Sequence, residues 1–333
     1  MKIAILAPVA WRTPPRHYGP WEQMASNLAE GLVARGVDVT LFATGDSHTS
    51  GHLAAICPQG YEEDRDADAK VTECMHISYF MEQAGNFDIL HSHFDFLPLT
   101  YSRLVKTPMV TTIHGFSSPK IIPVYQRYND VGRYVSISNA DRHPALQYAA
   151  TIYNGINTAD FPYEPEADKY LLYYGRIHPD KGAHEAIQVA RHTGLQLVIA
   201  GIIQDERYYR ERVLPFVDQE QIKFLGPVGG AQRSALLGKA LALLHLIRFE
   251  EPFGLSVAEA MLCGTPVIAF NRGAMPELII DGQTGFLVNS LPEAIARVAA
   301  LQSISREQCH VHARENFSME KMVAQYLALY ARM

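Results

Sequence analysis

Short apolar runs alternate with longer helical patterns along the whole chain, and this alternation limits the fold more than any other feature. The runs in the first half are KIAILA, VDVTLFAT, FDILHSH, PMVTTIHG, RYVSIS and ATIYNG; those in the second half are KYLLYYGR, LQLVIAG, QIKFLG, LALLHLI, TPVIAF and GFLV. Between the first two runs, WEQMASNLAEGLVARG has apolar residues at helical spacing, and Gly36 is a plausible helix end. Strands that alternate with helices predict βαβ units and parallel sheets.

The runs fall into two sets, separated by NGINTADFPYEPEADK, a stretch of turn residues, prolines and acids that we interpret as a linker. A chain of 333 residues is also too long for one small core, and two domains of roughly 150 residues each are expected. We therefore predict an α/β protein with two doubly wound, Rossmann-like domains that face each other across a cleft. Such sheets bind ligands at the carboxyl ends of their strands.

Composition and charge exclude several classes of protein. The net charge of −6 comes from 35 acidic and 29 basic residues, and neither half is basic, so a nucleic-acid partner is not expected. The four cysteines, Cys57, Cys74, Cys263 and Cys309, form no CxxC pair, which fits a reducing compartment. No apolar run reaches the ~18 residues of a membrane span, and no basic amphipathic stretch indicates membrane contact. We expect a soluble, cytoplasmic protein.

The segment YYGRIHPDKGAHEAIQVAR places two cations between a strand and a helix. The strand is predicted to end at Gly175, Arg176 and Lys181 lie on the loop, and the helix begins near Gly182 or Ala183. Cations beside helix amides are well matched to a diphosphate. A solvated basic loop explains this segment equally well when it is taken alone.

A second loop and helix, RFEEPFGLSVAEAMLCG, carries Glu251 on the loop and Glu259 about one turn inside the helix. A carboxylate accepts hydrogen bonds and cannot donate them, so a ligand shared by these two residues should carry hydroxyls. Glu250 beside them is interpreted as solvated. The main-chain amides that remain available for phosphate oxygens are those of Phe253, Gly254 and Leu255. For an isolated acid pair, a purely structural role would be the commoner explanation.

Two histidines are candidates for a ligand site in the first half. His114 follows PMVTTI at a predicted strand end, and Gly115 allows a ligand to approach closely. His93 holds a similar place one strand earlier, and His91 could share its role. The other histidines show no HExxH or comparable spacing, so no metal site is predicted. There is also no GxGxxG motif at the first helix, no Walker A motif and no GxSxG elbow.

Taken together, these motifs resemble the GT-B glycosyltransferases of the large retaining family four, and the resemblance spans nearly the whole chain. Its most specific part is EEPFGLSVAEAMLCGTPVIAF, in which seven residues separate Glu251 from Glu259. Further matches, in the family's order along the chain, are YGPWE, SISNADR, NGI, GRIHPDKG and GAMPELIIDGQTGFLV.

The resemblance implies a role for each candidate residue. Arg176 and Lys181 would hold the donor diphosphate, and Glu259 the ribose hydroxyls. Glu251 would contact the donor sugar, while the Phe253–Leu255 backbone touches the diphosphate and the sugar. His114 would lie over the donor sugar from the opposite domain, and Phe224 and Leu225 would line the nucleobase pocket.

The resemblance also implies the roles of the domains. Residues 1–155 would form the acceptor-side domain, completed by a crossing helix at 317–333, and residues 156–316 would bind the donor. No cofactor and no divalent metal are implied. One departure concerns Gly19-Pro20, where the family often has two glycines. Because proline has no N–H, only Gly19 could still contact the donor through its amide.

The implied activity is the transfer, with retention, of a hexose from a nucleoside-diphosphate sugar to an unidentified hydroxyl on a sugar, glycan or small molecule. UDP-glucose is preferred over GDP-mannose as the expected donor. A sugar-nucleotide epimerase stays open, because it would need the same donor pocket but no acceptor. A catalytically inactive nucleotide-sugar-binding protein is the third possibility, although all four charged candidate residues are present.

Overall fold

The computed structural model describes all 333 residues, which form two compact units. The first unit comprises Met1–Ile156 and Met319–Met333, and the second comprises Asn157–Ser318. The strands are β1 (Lys2–Leu6), β2 (Asp38–Phe42), β3 (His52–Ala54), β4 (Ile89–Ser92), β5 (Met109–Ile113), β6 (Arg133–Ser136), β7 (Tyr148–Thr151), β8 (Tyr170–Tyr174), β9 (Gln196–Ala200), β10 (Ile222–Gly226), β11 (Ala242–His245), β12 (Val267–Phe270) and β13 (Gly285–Val288).

The α-helices vary from one turn to 14 residues. They are α1 (Pro20–Val33), α2 (Ala69–Glu82), α3 (Ile122–Arg127), α4 (Ala183–Thr193), α5 (Glu206–Tyr208), α6 (Gly230–Lys239), α7 (Leu255–Leu262), α8 (Met275–Leu278), α9 (Leu291–Val298), α10 (Arg306–Phe317) and α11 (Met319–Tyr330). A π-helical turn follows α5 at Tyr209–Val213. No helix is both long enough and apolar enough to span a membrane.

The first unit contains a parallel sheet with the strand order β3-β2-β1-β4-β5-β6-β7. Every strand except β3 lies at or beside a run predicted from the sequence. Strand β3 has three residues at the sheet edge, two of them exposed, so it lacks the apolar run by which buried strands are found. The strand order reverses direction between β1 and β4, where doubly wound sheets place their ligands.

Successive residues of β1 pack on opposite faces of this sheet, as the two-residue period of a strand requires. Ile3 and Ile5 belong to a buried cluster that includes Leu28 of α1 and Tyr326 of α11. Leu6 belongs to a second cluster that includes Phe80 of α2. Because helices cover both faces, every residue of the strand after the exposed Lys2 is apolar and buried. The last helix of the chain is thus part of the core of the first unit.

The second unit contains a parallel sheet with the strand order β10-β9-β8-β11-β12-β13. All six strands were predicted, and the α/β class with two doubly wound sheets is confirmed. The direction of the strand order reverses between β8 and β11. The two charged loops singled out in the sequence follow these two strands, so both leave the same edge of the sheet at its switch point.

Candidate active site

The cationic loop leaves β8 and leads into α4, whose predicted start at Gly182 or Ala183 is confirmed. Lys181 ends a short 3₁₀ turn, and Gly182 adopts a left-handed conformation with φ of 76°. A Cβ atom at Gly182 would lie 2.0 Å from the carbonyl oxygen of Leu246, so only glycine fits there. This close approach fixes the position of Lys181 against the loop that follows β11.

The two predicted charged loops meet through side chains and main chain. Lys181 Nζ donates a hydrogen bond to Glu251 Oε2 at 2.7 Å, and the two side chains are only 16% and 15% exposed. The Arg248 amide donates to the Asp180 carbonyl oxygen at 2.8 Å, which joins the two loops beside this pair. Lys181 Nζ also lies 4.5 Å from the centre of the Phe249 ring, within cation–π range.

Arg176 faces the same region and pairs with Gln204 through its guanidinium. An open cavity of about 240 Å³ lies over these loops. Its lining residues are Arg176, His178, Asp180, Lys181, Gln204 and Phe249. The cavity is therefore polar and carries two cations and one acid, together with a histidine, which suits an anionic ligand.

Helix α7 begins as predicted, with Gly254 as its N-cap residue in a left-handed conformation with φ of 97°. No side chain caps this helix start, so the amides of Leu255 and Ser256 have no side-chain acceptor from the N-cap residue. The preceding loop is held by Gly273, where a Cβ atom would lie 2.4 Å from the Glu251 nitrogen. The Ala274 amide donates to the Glu251 carbonyl oxygen at 2.9 Å.

Glu250 is exposed, as the sequence suggested, but it also has a structural role. Its side chain is 73% exposed, and its Oε2 accepts a hydrogen bond from the Gly273 amide at 2.6 Å. Arg272 lies beside it, with Nε 3.5 Å from Oε1. The interpretation of Glu250 as merely solvated is therefore incomplete, because its carboxylate helps to close the loop.

Glu259 lies on the buried part of α7, where Val257–Leu262 are all buried and it is the only charged residue. Its carboxylate pairs with the guanidinium of Arg233 on α6. Burial raises the pKa of Glu259, and the charge of Arg233 acts in the opposite direction. Arg233 was not among the residues predicted from the sequence. A charged residue within the apolar run that follows Ser256 is the sequence signal that would have indicated a cationic partner.

His245 at the end of β11 is another residue that the sequence analysis missed. It is 7% exposed, and its Nε2 lies 4.0 Å from Glu251 Oε2 without a hydrogen-bond partner. Burial lowers the pKa of His245 to about 4. The imidazole is therefore neutral at pH 7 and approaches Glu251 as a dipole.

The residues predicted to line a nucleobase pocket lie on β10, the edge strand of the second sheet. Leu225 is 46% exposed. Phe224 contacts the ring of Tyr209, with 5.0 Å between the ring centres. The nucleobase role of these two residues stays a prediction.

In the first unit, His114 lies at the carboxyl end of β5 within a chain of buried histidines. Its Nε2 lies 2.9 Å from His93 Nδ1, and its ring stacks on Trp21 with centres 5.8 Å apart. His91 bonds to the hydroxyl of Thr112 through Nε2 at 2.7 Å. Burial lowers the pKa of His91 and of His114 to about 3, and that of His93 well below its ordinary value.

Gly19 is the N-cap residue of α1, with φ of 150°, and Pro20 occupies the first helical position. Proline is well suited to that position, because its missing N–H would have no intrahelical partner. A Cβ atom at Gly19 would lie 2.9 Å from Glu22 Oε2. Glu22 is 3% exposed and accepts a hydrogen bond from the Trp11 amide at 3.3 Å. Burial raises the pKa of Glu22 to about 7.

The candidate residues thus divide between the two units. In the second unit, Lys181 and Glu251 are in direct contact, and Arg176 lines the same cavity as Lys181. Glu259 pairs with Arg233 instead. His114 and Gly19 belong to the first unit. Among the described residues, no group of three or more His, Cys, Asp or Glu side chains is arranged to hold a metal ion.

Comparison with known proteins places both units in described families. Residues 157–319 match the model "Glycosyl transferases group 1", and residues 22–160 match the model "Glycosyltransferase Family 4". The two matches overlap at residues 157–160 and together cover residues 22–319.

Three individual proteins show the extent of this similarity. Glycogen synthase from Mycobacterium tuberculosis is 25% identical over 96% of this chain and 90% of its own length. Phosphatidyl-myo-inositol mannosyltransferase from Mycolicibacterium smegmatis is 26% identical over 91% of this chain and 84% of its own. The solved structure of Anabaena HepE in complex with UDP-glucose has the same fold, with a TM-score of 0.75, 18% identity and complete coverage of both chains. The protein is therefore a member of the family-four-like glycosyltransferases with the GT-B fold.

Proposed function

We propose that this glycosyltransferase moves a hexose, with retention of configuration, from UDP-glucose to a hydroxyl of a sugar, glycan or small-molecule acceptor. One observation carries the proposal above all. The Lys181–Glu251 pair lies at the switch point of the second sheet, close to the uncapped start of α7. Such a site offers cations and amides to a diphosphate and a carboxylate to sugar hydroxyls.

The cations act on the leaving group. Breaking the bond between sugar and diphosphate develops negative charge on phosphate oxygens, and preformed donors stabilise that charge best. Arg176 and Lys181 supply cations, and the amides of Phe253, Gly254 and Leu255 supply dipoles. An ammonium has three N–H donors, so Lys181 can keep its hydrogen bond to Glu251 and still donate one to a phosphate oxygen. No divalent metal is needed in this scheme.

The carboxylates and the other hydrogen-bonding groups of the site bind the sugar parts of the nucleotide-sugar substrate. Glu251 binds hydroxyls of the transferred hexose, and Glu259 binds those of the ribose. Phe224 and Leu225 contact the nucleobase. From the first unit, His114 contacts the hexose as a neutral hydrogen-bonding group, and Gly19 approaches the donor through its main chain. These assignments follow from the motifs, supported by the burial and pairing described above.

Retention implies that the acceptor hydroxyl attacks from the face that the diphosphate leaves, with a phosphate oxygen taking its proton. No protein nucleophile is assigned in this scheme. The anomeric configuration of the first product, read by NMR before mutarotation, tests it. An inverted product would overturn the retaining mechanism and leave the donor assignment in place.

UDP-glucose is chosen because the structurally similar Anabaena HepE was solved with that molecule bound. The mannosyltransferase from M. smegmatis makes a mannosyl donor the alternative. The test is a panel of UDP-, GDP- and ADP-sugars, scored by thermal shift and by release of nucleoside diphosphate. A response confined to GDP-mannose would overturn the UDP-glucose assignment. Unchanged activity in EDTA is expected, and loss of activity that Mg²⁺ restores would contradict the metal-free scheme.

The same panel distinguishes the proposal from two alternative functions. A sugar-nucleotide epimerase would convert UDP-glucose into another UDP-sugar without any acceptor. A binding protein without catalysis would bind UDP-glucose tightly and neither hydrolyse nor transfer it. The proposal expects slow hydrolysis without acceptor and faster release of UDP when a suitable acceptor is added.

A further inference from the structure

The ion pair between Arg233 and Glu259 is more enclosed than a surface salt bridge. The Glu259 side chain is 7% exposed and that of Arg233 is 27% exposed. The pair joins α6 to α7, and it uses Oε2 of the carboxylate. Oε2 is fully enclosed and has no hydrogen-bond partner besides this ion pair. A carboxylate that is paired through one oxygen can still accept hydrogen bonds through the other.

Arg233 is held in place by aromatic rings as well as by charge. Its guanidinium carbon lies 5.2 Å from the centre of the Tyr174 ring and 5.5 Å from that of Phe161. The Tyr174 hydroxyl donates to the Val228 carbonyl oxygen at 2.8 Å, which fixes that ring. A planar guanidinium suits such a setting better than the compact ammonium of lysine.

The pair also affects the charge of Glu259, because burial raises the pKa of its carboxyl and the charge of Arg233 opposes that shift. A carboxylate this enclosed would otherwise tend to take up a proton, because burial disfavours the charged form. A neighbouring guanidinium, which is always charged, favours the anion. Tyr174 is the last residue of β8, directly before the loop that carries Arg176 and Lys181. Arg233 therefore connects the proposed ribose-binding residue to the strand that leads into the diphosphate site.

We propose that Arg233 is a positioning residue for donor recognition: it holds Glu259 so that Oε1 accepts the ribose hydroxyls, and it thereby makes the enzyme select ribonucleotide over deoxyribonucleotide donors. The inference rests on the proposed function, and it adds a residue and a selectivity that the proposed function does not contain. Arg233 acts here through Glu259 and makes no contact with the ligand itself.

The test compares the dissociation constants of UDP and 2′-deoxy-UDP by titration calorimetry. In the wild type, loss of a hydrogen bond to a charged acceptor should weaken binding of the deoxy compound about tenfold or more. Arg233→Met and Glu259→Gln should each reduce this ratio to about twofold. In the double variant the ratio should fall no further, because both substitutions remove the same interaction.

Lys239→Met is the matched control, because Lys239 lies on the same helix and pairs with Glu164 at 3.0 Å. It should keep the wild-type ratio. Melting curves report whether Arg233→Met folds. If it does not, Arg233→Lys replaces it, with an intermediate ratio expected and a wild-type ratio counting against the proposal.

Three results would overturn the inference. They are a wild-type ratio in Arg233→Met, a further fall when Arg233→Met is added to Glu259→Gln, and equal binding of UDP and 2′-deoxy-UDP by the wild type. In each of these cases UDP still binds, so the proposed transfer from UDP-glucose survives, although equal binding by the wild type would also withdraw the ribose role of Glu259. A wild type that binds neither nucleotide would instead refute the proposed function together with the inference.

Discussion

Lys181 Nζ donates to Glu251 Oε2 at 2.7 Å, which joins two loops that are 70 residues apart in the chain. The pair explains how a carboxylate can lie in a site suited to an anion. The ammonium neutralises Glu251 in the absence of ligand, and it keeps donors for phosphate oxygens when a donor substrate binds. The carboxylate is then available to sugar hydroxyls.

The two glutamates should affect different steps. Glu251→Gln should keep UDP affinity within about threefold and reduce turnover about 10²-fold, because its partner is the transferred sugar. Glu259→Gln should weaken UDP binding about tenfold, because its partner is the ribose. Titration calorimetry and initial rates measure both variants. A collapse of UDP affinity in Glu251→Gln would show that Glu251 lies at the nucleotide end of the donor.

Gly182 should tolerate no side chain, unlike a matched glycine at the other end of the same helix. Gly182 and Gly194 both have left-handed backbones, with φ of 76° and 72°. An added Cβ atom would clash with Leu246 at the first position and meet nothing within 4 Å at the second. Gly194→Ala should therefore cost about 1 kcal/mol of unfolding free energy, and Gly182→Ala more than about 3 kcal/mol. Similar melting temperatures for the two variants would contradict this account of the loop.

Glu22 should make stability depend on pH in an unusual direction. Its folded-state pKa of about 7 lies above the ordinary value of 4.5, so the folded protein holds the proton more tightly. Protonation of Glu22 therefore contributes stability that is fully present below pH 4.5 and is lost as pH rises through 7. The loss amounts to about 3 kcal/mol of unfolding free energy. Glu22→Gln should therefore raise the melting temperature at pH 8 and change it little at pH 5. An equal effect at the two pH values would show that Glu22 is charged in the folded state.

The buried histidines should stay neutral throughout the physiological range. The pKa of His91 and of His114 is about 3, so neither imidazole gains a proton between pH 8 and pH 5. NMR of the ring protons, assigned with His114→Asn, should show no titration of His114 there. The unfolded chain takes up these protons below pH 6.5, so this burial costs stability as pH falls. Titration of His114 near pH 6.5 would contradict its enclosure.

The parts of the molecule that were predictable from sequence are those with local signals. Buried parallel strands are continuous apolar runs, and the starts of α4 and α7 are marked by glycines that adopt positive φ. Those signals placed Lys181 and Glu251 on loops that follow two strands. Because the carboxyl ends of parallel strands lie at the same edge of a sheet, the two residues were expected to lie close together.

The features that could not be predicted from the sequence depend on tertiary contacts. Strand β3 is short and largely exposed, so it has no apolar run to reveal it. Arg233 is an ordinary basic residue in the sequence of α6, and only the fold shows that it faces Glu259. The same holds for Glu250, whose contact with the Gly273 amide crosses two loops.

The central claim is that Lys181 stabilises the departing diphosphate of a nucleotide sugar. The most direct test is the rate of UDP release from UDP-glucose by Lys181→Met, with Lys239→Met as a control for the loss of a cation elsewhere in the second unit. The account predicts a fall of about 10²- to 10³-fold in Lys181→Met, a wild-type rate in Lys239→Met, and folded protein in both cases. A wild-type rate of UDP release by folded Lys181→Met would contradict it.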